Sequence, residues 1–271
     1  MSRAGKYMPH IAIAALAILL FAVQWFFGDF PLWLFAAPMN LLVVILWLVA
    51  VWEGFRHRKS SAMAKFLLST EATYLALFIA AAIALVLGLQ SEPTTASWPV
   101  VGGFAYVLTV LSFVILRGWR SERGVRWRFV CTHLGLWLAT LSLFVGAADK
   151  QILRIEVGEE PTREAVNERG AASFLDYELA LSDFKVEHSK SGSPERFCAT
   201  IGIDGKNVDI EVNTPYSYRY GEDIYLVDYS PKSCVLQVVR EPWRAVTALG
   251  IGLLVLGAFM LFLQGFQREV K

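Results

Sequence analysis

Histidine and cysteine are the residues through which this sequence could bind a metal or carry covalent chemistry. The chain has four histidines, which are His10, His57, His133 and His188. No two of them are spaced four residues apart, as two ligands on one face of a helix would be. The spacing therefore does not indicate a zinc centre. One imidazole can still serve as a single axial ligand of haem if the other ligand comes from another helix or another subunit.

His133 lies in the most unusual surroundings of the four. It follows Arg128 by five residues inside an apolar run, which places it roughly 7.5 Å beyond that arginine along a helix. Burying an ionisable group at that depth in a membrane costs free energy, so such a residue is first considered a candidate functional residue. A neutral imidazole bonded to a neighbouring helix is the structural alternative. The residues alone leave ligation and packing equally open.

The remaining polar candidates have simpler explanations. His57 in the basic "FRHRK" stretch and His188 beside a turn are predicted to be solvated surface residues. His10 opens the first apolar run, where its ring can keep a polar edge in water. Glu71 is expected to reach the membrane interface or to pair with an arginine. Asn40, after a proline, is expected to bond backbone groups that the proline leaves without partners.

The three cysteines are Cys131, Cys198 and Cys234. Cys198 and Cys234 fall in a segment expected to face an oxidising compartment, so they could form a disulfide, although both could equally be small core residues. The absence of CxxC and CxxCH motifs excludes a thioredoxin-like reductase and a covalent c-type cytochrome. No GxSxG elbow, phosphate-binding loop or Cys/His/Asn set is present, so neither hydrolase chemistry nor nucleotide or nucleic-acid binding is indicated.

These residues must be positioned by membrane helices. The chain is 55% hydrophobic and 18% charged, a composition typical of a protein that crosses the lipid bilayer several times. Runs of roughly twenty apolar residues, the length that a bilayer requires, predict six spans. They are 10–27, 31–52, 66–89, 98–117, 129–147 and 243–264.

Lysine and arginine concentrate in alternate loops. They precede the first span, separate spans two and three, and separate spans four and five, whereas 28–30 and 90–97 contain none. The positive-inside rule therefore predicts that both termini are cytoplasmic and that residues 148–241 are extracytoplasmic. The first span is not expected to be a cleaved signal peptide, because no small-x-small site follows it.

The sequence thus divides into residues 1–147 with five spans, an outer domain at 148–241, and the last span with a short tail at 242–271. The outer domain is acidic, with 11 Lys+Arg against 18 Asp+Glu. Its alternating hydropathy predicts five or six β-strands, including a tight hairpin at the Asp204–Gly205 pair. The pattern of 150–173 does not decide between a short helix and a linker, and "NTPYSYRYGE" at 213–222 is predicted to be an aromatic loop that crosses an end of the sheet. The predicted fold class is a six-helix transmembrane bundle with one inserted extracytoplasmic β-sheet domain.

The order of these parts resembles the ResB (CcsB) family of the System II cytochrome c biogenesis machinery. The resemblance is carried by the strings "HLGLWLATLSLFVGA", "VNTPYSYRYGEDIYLVDYS" and "VVREPWRAVTALGIGLLVLGAFMLF", and by "SWPVVGGFAYVLTVLSFVILRGWR" at 97–120. The positions that match the family motif are Val212, Asn213, Pro215, Tyr225, Tyr229, Arg240 and Pro242.

The resemblance implies a bacterial cytoplasmic-membrane protein that acts with a CcsA (ResC) partner. Such a pair carries haem b outward and attaches it to the CxxCH thiols of apocytochrome c, so haem b is a transported substrate and this chain is an accessory subunit of a haem lyase. His133 is the position that fits the family's transmembrane axial ligand, shared with a histidine of the partner. Two alternatives from the residues remain: a non-catalytic scaffold or sensor with a ligand-binding β-domain, and a haem-b electron-transfer subunit, which a single convincing histidine disfavours.

Overall fold

The computed structural model describes residues 3–90, 94–122, 124–188, 194–230 and 232–264. The chain divides into two compact units. One comprises Met1–Ala148 with Ala245–Lys271, and the other comprises Asp149–Arg244. The first is helical and the second is built from strands, so each is described by itself.

Six helices of the described chain are long and apolar enough to cross a membrane, which confirms the six predicted spans. A 3-10 helix at Leu32–Phe35 and a short α-helix at Ala62–Leu67 lie between the longer helices. The α-helices are α1 Arg3–Phe27, α2 Met39–Arg56, α3 Ala62–Leu67, α4 Thr70–Leu89, α5 Trp98–Gly118, α6 Trp127–Gly146 and α7 Arg244–Gln264.

Two predicted spans begin later than expected. The second starts at Met39 rather than at residue 31, because Pro31 and Pro38 lack the N–H that a continuous helix needs. The third starts at Thr70 rather than at residue 66. Its side-chain cap, Ser69 Oγ, accepts a hydrogen bond from the Ala72 N–H at 3.2 Å, which begins a new helix after α3.

Helix α5 is the centre of the helical unit. It packs against α1, α2, α4 and α6, and its buried side chains include Phe104, Leu108 and Phe113. A two-residue hairpin of β1 Arg120–Ser121 and β2 Gly124–Val125 joins it to α6. Because α6 follows α5 through this tight connection, the first turns of α6 are held beside the last turns of α5.

Helices α6 and α7 approach each other at backbone distance. A Cβ atom at Gly250 would lie 2.7 Å from the Ala139 N and 2.9 Å from the Gly135 O. Thr247 Oγ1 also donates a hydrogen bond to Ser142 Oγ at 2.9 Å. Small residues on both helices allow this approach. In a bilayer the hydrophobic effect does not drive helices together, and close van der Waals packing of this kind stabilises their association instead.

The second unit is one antiparallel sheet of eight strands in the order β7-β6-β5-β4-β3-β10-β9-β8. The strands are β3 Gln151–Val157, β4 Thr162–Asn167, β5 Ala172–His188, β6 Pro194–Ile203, β7 Lys206–Glu211, β8 Tyr216–Arg219, β9 Glu222–Tyr229 and β10 Cys234–Arg240. The predicted tight hairpin is confirmed, since Asp204 and Gly205 both have positive φ and join β6 to β7.

The sheet curls around its own core. The ring of Tyr177 on β5 lies 4.3 Å from that of Tyr218 on β8, although four strands separate β5 from β8 in the sheet order. The interior is filled by alternate aliphatic residues of nearly every strand, including Leu179, Ile201 and Leu236, which are fully buried. The core of this unit therefore lies on the concave face.

Three strands were absent from the sequence prediction. β3 and β4 occupy the segment that the pattern left undecided between helix and linker, and β8 occupies the predicted aromatic loop. In β3 the signal was present, since Leu153, Ile155 and Val157 alternate with polar residues and are buried. β4 and β8 are short and are paired by their neighbours, which local hydropathy does not report.

Candidate functional site

His133 lies in the second turn of α6 and is partly buried. Its Nδ1 is 2.9 Å from the carbonyl oxygen of Phe129, one turn earlier. A carbonyl oxygen can only accept, so Nδ1 carries the proton in this bond. In the neutral imidazole Nε2 then keeps its lone pair, which is the state in which a histidine binds a metal.

An aromatic side chain also contacts the face of the imidazole. The His133 ring stacks on Phe129 with centroids 3.9 Å apart and 24° between the planes. The Phe129 ring in turn packs on α5 at Gly118, where a Cβ atom would overlap it. The Arg126 guanidinium lies 5.0 Å from the centroid of the same ring. His133 is therefore oriented by a backbone bond and by an aromatic neighbour that α5 supports.

This donor set suits one axial position of a haem iron. Among the described residues no group of three or more His, Cys, Asp or Glu side chains could hold a metal ion. Within the part of the chain that the structure describes, His133 would thus contribute one oriented imidazole to a haem iron.

The other polar residues of the helices have local partners. Glu71 Oε2 lies 3.3 Å from His10 Nε2. The sequence predicts that Glu71 either reaches the interface or pairs with an arginine, and its partner is this histidine instead. His10 also packs edge-on against Phe66, which explains the pairing because α1 and α3 are in contact there. Asn40 is fully buried at the start of α2 and its Oδ1 accepts the Leu41 N–H at 2.8 Å.

The two remaining histidines lie at the ends of elements, His57 after α2 and His188 at the end of β5. His57 lies 3.8 Å from Glu53 on an exposed helix end, in line with the surface role predicted for it. His188 ends β5, and its side chain lies outside the described residues.

The motif that carried the family resemblance begins at a turn. Asn213 follows β7 and adopts a positive φ of 65°, a conformation that asparagine tolerates better than most residues. The turn is closed by the Thr214 N–H bonding the Glu211 carbonyl at 3.1 Å, and Pro215 then leads into β8. These two motif positions thus shape the connection between the edge strands.

Arg240, another motif position, takes part in a buried ion-pair network around Glu222, whose side chain is 3% exposed. Tyr177 donates its hydroxyl to Glu222 at 2.6 Å, and Arg219 Nε donates at 2.8 Å. Arg240 Nε donates at 3.0 Å, and both arginines also bond Asp176. Arg240 therefore connects the "REPWR" step to the strands that carry the motif.

The network shifts the titration of its members. Hydrogen bonds from Arg219 hold the pKa of Asp176 below its ordinary value. Burial, followed by the hydrogen bond to Glu222, raises the pKa of Tyr177. The neighbouring Asp223 bonds Arg244, and this hydrogen bond lowers the pKa of Asp223. Asp176 and Asp223 therefore stay ionised at neutral pH, where they hold Arg219 and Arg244 in place.

Two tyrosines of the motif lie on β9. Tyr225 is partly buried and faces Gln237 of β10 in the register. Tyr229 is 44% exposed and its ring lies 4.9 Å from Phe184 and 4.7 Å from Phe197. The last motif position, Pro242, lies between β10 and α7. Its missing backbone N–H therefore removes no hydrogen bond from a strand or a helix.

The cysteines of the sheet are not joined in the structure. Cys234 is fully buried in the core on β10, and burial raises the pKa of its thiol to about 11. Cys198 lies on β6 and is partly buried, with β5, β4 and β3 between the two strands in the sheet order. The burial of Cys234 fits a small core residue, the pairing of Cys198 with Cys234 stays a prediction, and Cys131 is buried within α6.

Sequence reasoning found His133 but missed Phe129, which orients its ring, and Arg126, which lies over the Phe129 ring. They precede His133 by four and seven residues, intervals that place side chains on one helix face and could have indicated them. The Glu222 network was beyond reach, because it joins four separate strands, β5, β8, β9 and β10.

Three known proteins or families are similar to this chain. A model of the ResB-like family matches residues 1–234. The cytochrome c biogenesis protein CcsB of Prochlorococcus marinus is 24% identical over 116 residues, or 41% of this chain and 26% of that protein. A solved structure of the cytochrome c haem lyase CcmF is 13% identical with a TM-score of 0.40, over 70% of this chain and 34% of that one.

The chain thus spans about a quarter of the curated relative and a third of the structural one. The family match extends over most of the sequence and over both compact units. It confirms the resemblance found in the motifs: this chain belongs to the ResB-like family.

Proposed function

We propose that this chain is the membrane subunit of a System II cytochrome c synthase complex, in which it moves haem b outward with a CcsA (ResC) type partner. In this proposal His133 supplies one axial ligand of the transported haem and a partner histidine supplies the other. The haem is delivered to apocytochrome c, whose CxxCH thiols receive it. The chain itself is an accessory subunit and carries no catalytic group.

One observation carries the proposal. The Phe129 carbonyl accepts a hydrogen bond from the Nδ1–H of His133, which leaves Nε2 as the unprotonated nitrogen. A metal-binding histidine usually donates its second N–H to such an acceptor, which fixes the tautomer and the direction of the ring. A histidine that only packed against a neighbouring helix would instead use its nitrogens to bond that helix.

The proposed membrane arrangement follows from charge. The protein is placed in the bacterial cytoplasmic membrane with both termini cytoplasmic and residues 148–241 extracytoplasmic. Support comes from the arginines and lysines that cluster in alternate loops. His133 then lies near the cytoplasmic end of α6, where haem made inside the cell would enter.

The test is to co-express the chain with its A-type partner, purify the complex and record its absorption spectrum. His133→Ala should remove most of the co-purified haem or change its axial-ligand bands, and added imidazole should restore them. The matched control is His57→Ala, which removes an exposed histidine of the same chain. An unchanged spectrum and haem content in His133→Ala would show that the ligand assignment is wrong.

The role in cytochrome maturation is tested separately. Deleting the chain should abolish holocytochrome c while apocytochrome c is still made, as measured by haem staining and immunoblotting of the same samples. Normal holocytochrome c in the deletion strain would remove the biogenesis role and favour a scaffold or sensor.

A further inference from the structure

A cleft of about 330 Å³ opens between α2, α5 and α6, and its wall includes Leu134, the residue that follows His133. Its walls include Leu48 and Trp52 of α2, Ser112 of α5, and Leu134 and Trp137 of α6. The Ser112 hydroxyl is already used, since it donates to the Leu108 carbonyl at 2.7 Å and accepts from Trp137 Nε1 at 2.8 Å. The cleft is therefore suited to an apolar surface.

The wall that Trp137 forms is rigid and flat. Its ring stacks on Trp47 with 6.0 Å between centroids and 6° between planes. Trp47 Nε1 donates to Thr109 Oγ1 at 3.0 Å, so both indoles are fastened to hydroxyls of α5. Fixed aromatic walls favour planar ligands, because such a ligand gains contact area without ordering new side chains.

A line of side chains along α6 leads to this cleft. Phe129, His133 and Trp137 follow one another at intervals of four residues and span roughly 12 Å of the helix, and Arg126 stands at the N-cap just before it. The line begins with a cation, passes an imidazole with an available nitrogen, and ends at an apolar pocket. Arg126 lies over the Phe129 ring and makes a long contact from Nη1 to the Gly118 carbonyl at 3.5 Å, and its guanidinium has five N–H donors.

A planar molecule that is anionic at one edge, apolar at the other and carries a metal at its centre complements this order of groups. We propose that haem enters in one orientation, with its propionates at Arg126, its iron at His133 and its vinyl-bearing edge in the cleft beside Trp137. This inference rests on the proposed function and adds the direction in which the substrate lies. The edge that later forms thioether bonds is kept from water until haem leaves the helices.

The propionate contact is tested with the purified full-length chain in detergent, titrated with haemin and with its dimethyl ester, which lacks the carboxylates. Arg126→Gln should weaken haemin binding about three- to tenfold, as loss of a charge-assisted contact predicts, and should leave the ester unaffected. The matched control is Arg128→Gln. Arg128 lies in the first turn of α6, about 140° around the helix from His133, and its substitution should leave both affinities unchanged.

The apolar contact is tested by filling the cleft. Leu48→Trp should weaken haemin and the ester alike, by about tenfold, because the added ring occupies the space of the porphyrin edge. Leu46→Trp is the control, since Leu46 is 60% exposed on the same helix and does not line the cleft. If Leu48→Trp fails to fold, Leu134→Phe enlarges the opposite wall and carries the same expectation.

The outcomes separate the two proposals. If Arg126→Gln matches Arg128→Gln, or if the filled cleft binds both probes as the wild type does, the orientation is overturned. The proposed function survives that result as long as His133→Ala changes the axial-ligand spectrum. If His133→Ala keeps the wild-type spectrum and affinity, the ligand assignment of the proposed function fails, and the orientation fails with it.

Discussion

Glu222→Gln is the substitution that most directly tests the buried network of the sheet. It keeps the shape of the side chain but removes the charge that Arg219 and Arg240 share. The glutamine amide also presents donors where the arginines donate, so it cannot satisfy both of them. The change therefore leaves two guanidinium groups with Asp176 as their remaining carboxylate partner.

The magnitude follows from burial. Removing one member of a buried ion pair costs about 3–5 kcal/mol, because an uncompensated charge stays in the interior. Glu222 is 3% exposed, but its partners Arg219 and Arg240 are 46% and 24% exposed, so water screens part of the loss. We expect the free energy of unfolding of the sheet unit to fall by about 2–3 kcal/mol. For a unit of roughly 100 residues that corresponds to a drop in Tm of about 8–20 °C.

The assay is pulse proteolysis of the full-length chain in detergent across a urea series, which reports the fraction of sheet unit unfolded at each concentration. Glu178→Gln is the matched control, since Glu178 lies in the same sheet and pairs with Arg163 while both side chains are 53% exposed. An exposed pair contributes about 0–1 kcal/mol. Equal midpoints for the two variants would refute the argument that the Glu222 network stabilises this unit.

Three further predictions follow from individual residues. Gly250→Val should separate α6 from α7, because its Cβ would meet the backbone of Ala139 at 2.7 Å, whereas Gly252→Val, with nothing within 4 Å, should leave the melting temperature in detergent unchanged. Cys234, with its raised pKa and full burial, should resist iodoacetamide at pH 8 in the folded chain and react only after unfolding. Mass spectrometry checks this, and failure of Cys234 and Cys198 to label in urea without reductant would instead reveal a disulfide. Asp223 has a lower pKa in the folded chain than its value of about 3.9 in the unfolded chain. Its ionised carboxylate therefore stabilises the fold above the unfolded pKa, and this stabilisation is lost as the pH falls through the folded pKa. Unfolding midpoints between pH 7 and 3 should therefore fall less steeply in Asp223→Asn than in the wild type.

Much of this architecture could be predicted from local pattern. A membrane span needs only length and hydropathy, so all six were found, and two were misplaced at their start, where Pro31, Pro38 and Ser69 decide the helix boundary. The hairpin at Asp204 was predicted because a two-residue turn with positive φ is specified by its own residues. The curl of the sheet, and with it strands β4 and β8, depends on pairing between distant segments.

The same division applies to the candidate site. By itself the sequence determined that an imidazole lies in an apolar helix and, through its motifs, which family the chain resembles, since both are properties of contiguous residues. Only the tertiary structure decided that the Phe129 ring packs on Gly118 of α5, that Trp137 stacks on Trp47 of another helix, and that Glu222 binds two arginines. Hydrogen-bond geometry and ring stacking extend over a few ångströms in space, and packing brings together residues that the chain holds far apart.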